Sequence, residues 1–299
     1  MSFSSEIKTE LCTLPVGDHA LALAECYGVL LYCHTFTPRE LRIVTASPDF
    51  AQRLPRSFKR AFGVTLPEPR ETGRGRQVFH TEAPAVLAPI LDAIGLDAGR
   101  SVSHHINLGV LEEPGATVAF LRGAFLAGGS VTDPMKGFHF ELATAHYSVS
   151  REAAAILTEL GYPPNDSRRS GSFMLYYKRA EIISDVLTLL GADTSSLRIM
   201  EAQVERSMNN KVNRQINCDS ANADKVVAAA QEQLDAILRI QSEYGLSVLP
   251  EKLQDAALLR IANPEASLAD LAKLSYPAVS KSTLSYRLKK ITEFDPKKG

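Results

Sequence analysis

Cysteine is scarce in this chain, and its copies are too scattered to build a cysteine-based site. Cys12, Cys26, Cys33 and Cys218 include no Cys-x-x-Cys pair. Zinc sites and disulfide frameworks need close, regular cysteine spacing. The spacing therefore argues against both and favours reduced thiols in or near a core.

Long apolar runs are also missing, since none reaches the roughly 18 residues that a membrane span requires. The first ten residues carry Glu6, Lys8 and Glu10 and lack the apolar core of a signal peptide. We therefore expect a cytoplasmic protein with no membrane partner.

The chain has little net charge: 33 basic and 34 acidic residues leave −1. Affinity for nucleic acid must then come from local basic patches rather than from the field of the whole protein. Its 299 residues, 45% of them hydrophobic, are enough for two domains with full cores.

The first two thirds of the sequence contain an internal repeat. Residues 43–47 and 142–146 each precede a helical stretch, and residues 78–80 and 174–177 each precede another. These stretches end at Gly63 and Gly161, and at Gly95 and Gly191, as expected where a left-handed residue follows a helix. The pattern predicts two copies of one α/β unit, each ordered helix, two strands, helix, strand or strands, helix.

The first helix of each predicted copy is rich in small residues. It covers residues 20–28 in one copy and 119–129 in the other, and Gly28 would correspond to Gly128. Small residues among large apolar ones allow helices to approach closely. We expect these two helices to pack against each other; the alternative is an ordinary buried, alanine-rich helix.

Residues 121–130 (Leu-Arg-Gly-Ala-Phe-Leu-Ala-Gly-Gly-Ser) resemble the LAGLIDADG helix of homing endonucleases, and closely resemble its degenerate form in the WhiA family. Residues 3–11 and the Asn-rich residues 210–222 also resemble that family. The resemblance implies an α+β fold: a duplicated LAGLIDADG-like α/β domain followed by an all-α helix-turn-helix domain. The expected domains are residues 1–195, a helical connector 196–245, and a helix-turn-helix domain 246–299.

Active homing endonucleases end each LAGLIDADG helix in an acid that holds divalent metal, which activates water for phosphodiester cleavage. The matching place in the second helix is Gly128, and the first helix ends at Gly28-Val-Leu-Leu31, also without an acid. Glu25 falls about a turn early and Asp133 several residues late. We therefore expect no catalytic residue, no metal, no cofactor and no enzymatic activity.

Several basic clusters are candidates for phosphate contact in the first domain, although charge runs are often only solvated faces. The first candidates are Arg168, Arg169 and Lys178. A further cluster comprises Arg53, Arg56, Lys59 and Arg60, followed by Arg70, Arg74 and Arg76.

The connector is predicted to contain two helices, residues 196–208 and 220–243, separated by a polar stretch. In that stretch Lys211, Asn213 and Arg214 are candidate DNA contacts. The alternative is a linker held by side-chain turns.

The C-terminal segment shows the spacing of a helix-turn-helix. Pro250 suits a helix start, and Ala256, Ala257, Leu258 and Ile261 form an apolar stripe. Ser267 caps a short helix, a break follows at residues 275–277, and Ser280 caps a last helix whose Leu284, Leu288 and Ile291 face inward. The alternative is a plain three-helix bundle with a lysine-rich tail.

The last helix would be the recognition helix, whose first residues reach into the major groove. Residues 281–298 carry a net charge of +4. The candidate DNA-binding residues of this region are Ser267, Ser280, Lys281, Ser282, Ser285, Tyr286, Arg287, Lys289 and Lys290.

Three functional hypotheses remain open. The leading one is a nucleoid-associated regulator that binds double-stranded DNA sequence-specifically and, by the family resemblance, acts in sporulation or cell division. The second is an active homing endonuclease, which lacks its paired acids. The third is an interaction protein that docks a transcription or cell-division partner, with DNA binding secondary.

Overall fold

The computed structural model describes residues 2–73, 75–96 and 104–295. The chain divides into two compact units, residues 1–206 and 207–299, and the division falls inside one long helix, Asp193–Glu243.

The first unit begins with helix α1 (Phe3–Thr13) and continues with two copies of one arrangement. The first copy consists of α2 (His19–Tyr32), β1 (Thr35–Thr37), β2 (Glu40–Thr45), α3 (Pro48–Phe62), β3 (Arg70–Thr72), β4 (Arg76–Thr81) and α4 (Pro84–Ala93). The second copy consists of α5 (Ala116–Gly128), β5 (Gly129–Val131), β6 (Phe140–Thr144), α6 (Tyr147–Glu159), β7 (Asn165–Arg169), β8 (Ser172–Tyr177) and α7 (Ala180–Leu190). The long helix Asp193–Glu243 follows as α8.

The two sheets have the same topology, which confirms the predicted duplication. Each is antiparallel, with strand orders β1-β2-β4-β3 and β5-β6-β8-β7. Leu41 pairs with Thr81 in the first sheet, and Phe140 pairs with Tyr177 at the corresponding place in the second. The predicted order of elements within each copy is therefore correct.

Left-handed glycines end the helices as expected. Gly63 follows α3 with φ 69°, and Gly191 follows α7 with φ 94°. Residues other than glycine rarely adopt this conformation, so the repeated glycines mark the repeated helix ends.

Helices α2 and α5 touch backbone to backbone, as the small residues predicted. A Cβ atom on Gly28 would lie 2.0 Å from the carbonyl oxygen of Phe120, and one on Gly123 would lie 1.9 Å from that of Glu25. Gly28 and Gly123 thus occupy reciprocal places at the crossing. The expected correspondence of Gly28 with Gly128 is wrong, because Gly128 lies at the helix end, where its Cβ would meet the Ala143 carbonyl oxygen at 2.4 Å.

One continuous core fills the first unit. Alternate strand residues point into it, among them Leu41, Ile43 and Phe79 in the first sheet and Leu142 and Leu175 in the second. The opposite face of each sheet is more exposed and more polar, as the period-2 alternation of strands requires.

The second unit is helical. The end of α8 packs with α9 (Glu251–Ala262), α10 (Leu268–Leu274) and α11 (Lys281–Thr292) around a separate core. The α+β first unit and the all-α second unit agree with the predicted fold class.

The predicted break between two connector helices is wrong, since α8 is helical throughout Asp193–Glu243. Its asparagines indicated a linker because asparagine has a modest helix propensity, which is a weak prior. The segment contains neither glycine nor proline, and so nothing in it interrupts the helix.

None of the helices in the described ranges combines the length and apolarity that a membrane span requires.

We expect Gly123→Ala to destabilise the first unit by about 1–3 kcal/mol or more, because the added methyl group meets backbone that cannot rotate away. Urea unfolding of the full chain measures the change. Gly137→Ala is the matched control, since among the described residues no atom beyond its two chain neighbours lies within 4 Å of its Cβ position. Equal stability of the two variants would contradict the close crossing of α2 and α5.

Candidate nucleic-acid interface

Helices α9, α10 and α11 form the layout predicted for a helix-turn-helix. Leu271 of α10 and Leu284, Leu288 and Ile291 of α11 are fully buried, together with Ile237 from the end of α8. The inward orientation predicted for the apolar residues of α11 is therefore confirmed. In α9, Ala256 and Ala257 are buried as predicted, but Leu258 is 56% exposed, so the predicted stripe does not include it.

Two serines cap the helices of this motif. The amide of Asp270 donates to Ser267 Oγ at 3.2 Å, and the amide of Thr283 donates to Ser280 Oγ at 3.1 Å. A capping hydroxyl satisfies a backbone donor that the helix leaves unpaired. Both serines, predicted as caps and as DNA contacts, are therefore already engaged in starting α10 and α11.

One side of α11 is polar and open. At 3.6 residues per turn, Ser282, Tyr286 and Lys289 lie opposite the buried Leu284 and Leu288. Tyr286 is 62% exposed. The exposed arc, defined here as the solvent-facing side of α11, comprises Lys281, Ser282, Thr283, Tyr286, Lys289 and Lys290, with Ser285 half-buried at its edge.

Contacts within α11 partly order this arc. Lys289 Nζ lies 3.5 Å from Glu293 Oε1, and Lys290 Nζ lies 5.8 Å from the centre of the Tyr286 ring. Lys297 and Lys298, which contributed to the predicted charge of +4, lie outside the described residues.

Arg287 does not belong to the exposed arc. It lines a groove of about 440 Å³ between α9 and α11, together with Glu251, Asp255 and the exposed Tyr276. The sequence grouped Arg287 with Lys289 and Lys290 as a phosphate contact, but its position on α11 turns it toward α9.

Arg260 supports the motif from inside, and sequence reasoning missed it. Its side chain is 1% exposed and donates to the backbone oxygen of Ala266 at 2.6 Å and to Gln233 Oε1 at 3.1 Å. Burial lowers the pKa of Arg260. The residue holds the loop between α9 and α10 against α8, and an arginine on a helix gives no sequence signal of such a role.

The connector candidates lie on the exposed surface of α8. Lys211 and Arg214, three residues apart, share one side of the helix with Cys218. Asn213 lies two positions from Lys211 and so points to a different side. The structure therefore brings Lys211 and Arg214 together and separates Asn213 from them.

The candidates in the second sheet are also divided. Arg168 pairs with Phe173 and Arg169 with Ser172, so their side chains leave β7 on opposite faces. Arg168 stacks on the Phe173 ring with its guanidinium carbon 5.1 Å from the ring centre. Lys178, beyond the other end of β8, lies 5.2 Å from the centre of the Tyr176 ring. The three residues do not form one patch.

At one of the two positions of the endonuclease acids, the end of α5, close packing leaves no space for a side chain. Helix α2 ends at Tyr32 and α5 at Gly128, where a side chain would collide with Ala143. Asp133 lies in a turn, where its carboxylate accepts the amide of Met135 at 3.0 Å. In the described part of the chain, no three His, Cys, Asp or Glu side chains are grouped to hold a metal ion.

Glu25 is buried in an ion pair and therefore takes no place in a catalytic pair. Arg53 Nε and Nη2 donate to its two carboxylate oxygens at 2.7 and 2.9 Å, and Arg122 Nη1 lies 3.7 Å away. Burial opposes the charge of Arg53, but the hydrogen bonds and attraction from Glu25 outweigh it and raise the pKa of Arg53. Arg53, counted in the sequence among exposed basic residues, is thus part of the core.

These observations define the class of protein: a LAGLIDADG-like scaffold without its metal-binding acids, joined to a helix-turn-helix. Family models for the WhiA LAGLIDADG-like domain and the WhiA C-terminal HTH domain match residues 117–209 and 212–295. The chain is 31% identical to the "Probable cell division protein WhiA" of Ruminiclostridium cellulolyticum, over 98% of this chain and 96% of that protein. It is also 31% identical to the protein of that name from Alkaliphilus oremlandii, over 99% and 98%.

Two solved structures of the same family are also similar to this chain. Full-length DUF199/WhiA from Thermatoga maritima matches with a TM-score of 0.60 and 25% identity, covering 98% of this chain and 97% of that one. The N-terminal LAGLIDADG domain of DUF199/WhiA matches with a TM-score of 0.51 and 21% identity, over 64% and 92%. The chain belongs to the WhiA family, as residues 121–130 and 210–222 indicated.

We expect Arg53→Met to lower the free energy of unfolding by about 3–5 kcal/mol, because it leaves the Glu25 carboxylate buried without its partner. Urea unfolding measures the loss. Arg56→Met on the exposed side of α3 is the control and should stay within about 0.5 kcal/mol of the parent chain. If Arg53→Met keeps full stability, Arg53 is not a core residue.

Proposed function

We propose that this protein is a sequence-specific regulator of transcription that binds double-stranded DNA and acts in cell division or sporulation. The observation that carries the proposal is the exposed arc of α11, whose polar and basic side chains project from a helix that two capped, fully packed elements hold in place. A recognition helix needs this combination of a rigid base and a free face.

Within the arc we assign different roles to different residues. Lys281, Ser282, Ser285 and Tyr286 lie in the first half of α11, the part of a recognition helix that meets base edges. Lys289 and Lys290 follow, placed for phosphate oxygens. Ser267 and Ser280 contribute through the amides of the helix starts that they cap.

The helical connector adds a smaller candidate surface. Lys211 and Arg214 project from the same side of α8, and we assign them phosphate contacts, with Asn213 contributing least because it points elsewhere. A protein of net charge −1 that acts at the nucleoid depends on such local groups.

The first unit serves this function without catalysis. Two carboxylates at the ends of α2 and α5 would be required for metal-assisted cleavage, and Gly128 is packed against the Ala143 carbonyl where one of them would stand. We therefore propose that the LAGLIDADG-like scaffold has no nuclease activity.

A second candidate is an interaction protein whose DNA binding is secondary. The groove between α9 and α11 favours it, because Leu258, Leu274 and Tyr276 are exposed around an apolar floor. Exposed apolar patches with polar rims are typical of protein-docking sites.

Selection of duplexes from a random library with the full chain tests the leading proposal. We expect one enriched sequence, and substitution of Lys281, Ser282 or Tyr286 by alanine should reduce its advantage over a scrambled duplex by about 5- to 150-fold, the effect of losing 1–3 kcal/mol of base contact. Lys289→Gln and Lys290→Gln should weaken both duplexes equally.

Lys252→Gln, on α9 and outside the arc, is the matched control and should bind as the parent chain does. An enriched sequence that survives all the arc substitutions would contradict the assignment. Cellular activity that also survives them would favour the interaction protein.

We further expect no cleavage of supercoiled plasmid or of the selected duplex with Mg²⁺ or Mn²⁺, because the helix ends offer no metal-binding acids. Gel electrophoresis over a time course measures this. Metal-dependent nicking that co-purifies with the parent chain and persists in the Lys281→Ala variant would show that the scaffold is a nuclease.

A further inference from the structure

Residues 104–107, which lie between the two repeats in the chain, are tied to the first repeat by polar contacts. Tyr27 Oη of α2 donates to the His105 carbonyl oxygen at 2.7 Å and accepts the Asn107 amide at 2.8 Å. Asn107 Nδ2 donates to the Ile94 carbonyl oxygen, at the end of α4, at 3.0 Å. We call residues 104–107 the clasp.

The clasp is also tied to the second repeat. Glu152 of α6 accepts the Ile106 amide at 2.7 Å, and its other carboxylate oxygen lies 2.7 Å from His105 Nδ1. The amides of Ile106 and Asn107 therefore bond to one side chain from each repeat. Their protection from exchange with solvent reports whether the clasp is in place.

His104, the first residue of the clasp, places its ring between side chains of both repeats. The ring stacks on Phe36 of β1 with centroids 5.4 Å apart, and it meets His146, at the start of α6, edge to face with centroids 4.3 Å apart. His104 Nδ1 is buried and has no hydrogen-bond partner in the described part of the chain. A proton on this nitrogen would add a buried charge without an acceptor, which is costly.

The surroundings keep both imidazoles neutral. Burial lowers the pKa of His104; a hydrogen bond with the Phe36 backbone opposes this shift, and the nearby His105 adds to it. Burial also lowers the pKa of His146 to about 4, and the neighbouring His104 contributes to the same shift. Each ring thus makes protonation of its neighbour less favourable, because like charges repel.

The other titratable groups of the clasp do not make it sensitive to acid in the same way. A proton on His105 strengthens its contact with Glu152, and burial raises the pKa of Tyr27 to about 12, so that Tyr27 stays neutral. A histidine with a lowered pKa in the folded state loses its stabilising effect as pH falls below its unfolded pKa of about 6.5. Acid therefore acts against the clasp through His104 and His146.

We propose that the clasp is a pH-sensitive connection between the two repeats, in place while the facing rings of His104 and His146 are neutral and released when either ring is protonated. On release, residues 104–107 leave Tyr27 and Glu152, while the crossing of α2 and α5 keeps the first unit folded. The clasp lies within the first unit and its release requires no DNA. It is thus a conformational property beyond the proposed function and independent of it.

Hydrogen exchange of the full chain at about pH 7.5 and about pH 5.5 tests the proposal, because these values lie on either side of the unfolded pKa of histidine. The measured quantity is the protection factor of the Ile106 and Asn107 amides, with the amides of β6 as the reference. We expect the clasp amides to lose protection by about 3- to 10-fold at the lower pH, while β6 keeps its protection. A His146 pKa of about 4 sets the upper value, and partial exposure of that ring reduces it.

Three variants assign the effect to the two rings. The double variant His104→Phe and His146→Phe keeps two rings that take up no proton, so its clasp amides should be equally protected at both pH values. His146→Asn alone should reduce the pH effect and provides a second measurement if the double variant does not fold. His80→Gln is the matched control, since His80 lies 3.2 Å from Glu40 and outside the clasp, and it should behave as the parent chain does.

Two results would overturn the proposal. One is equal protection of the clasp amides at both pH values in the parent chain, or a loss at low pH that persists undiminished in the variants of His104 and His146. The other is a loss of the same size in β6, which would show that acid unfolds the whole unit and does not release the clasp.

Discussion

The contact between α2 and α5 is the constraint on which the first unit depends. Gly28 and Gly123 let the two backbones touch, and no side chain at either position fits without moving main-chain atoms. The close crossing places the two repeats around one approximate dyad, so that each sheet packs its apolar face on the same helix pair. It also brings both helix ends together, where the packing of Gly128 on Ala143 leaves no room for a carboxylate. The same two helices therefore hold the two repeats together and leave no space for a carboxylate at the end of α5.

Charged residues contribute to this protein in two opposite ways. Arg53 and Arg260 are buried, and each holds separate segments together: Arg53 through Glu25 of α2, and Arg260 through the Ala266 carbonyl and Gln233 of α8. Leaving such a buried charge without its partners costs free energy, and these groups therefore specify one arrangement of their neighbours. The arginines of β2, β3 and β4 and the lysines of α11 are exposed to water instead, and among them Lys289 lies 3.5 Å from Glu293 of its own helix.

The duplicated first unit shows how buried residues and exposed residues come under different constraints. Once two copies of a unit share one core, the inward residues of both are constrained by packing, while the outward faces diverge freely. Glu141 and Arg42 stand at equivalent positions of two sheets with the same topology, so the fold does not dictate the charge of this outward residue. The second unit shows the same division, since the inward residues of α11 are apolar and its outward residues are polar or basic.

The repeat, the helix ends at Gly63 and Gly191, the capped helices of the second unit and the family could all be predicted from the amino-acid sequence, because each depends on local spacing. Four features became clear from the three-dimensional arrangement: Arg53 is buried, Arg168 and Arg169 point to opposite faces of β7, Arg287 lines a groove, and α8 is unbroken. The sequence alone does not distinguish a charged side chain in a core from one in water. Its surroundings come from strand register and helix crossing, which join residues far apart in the chain.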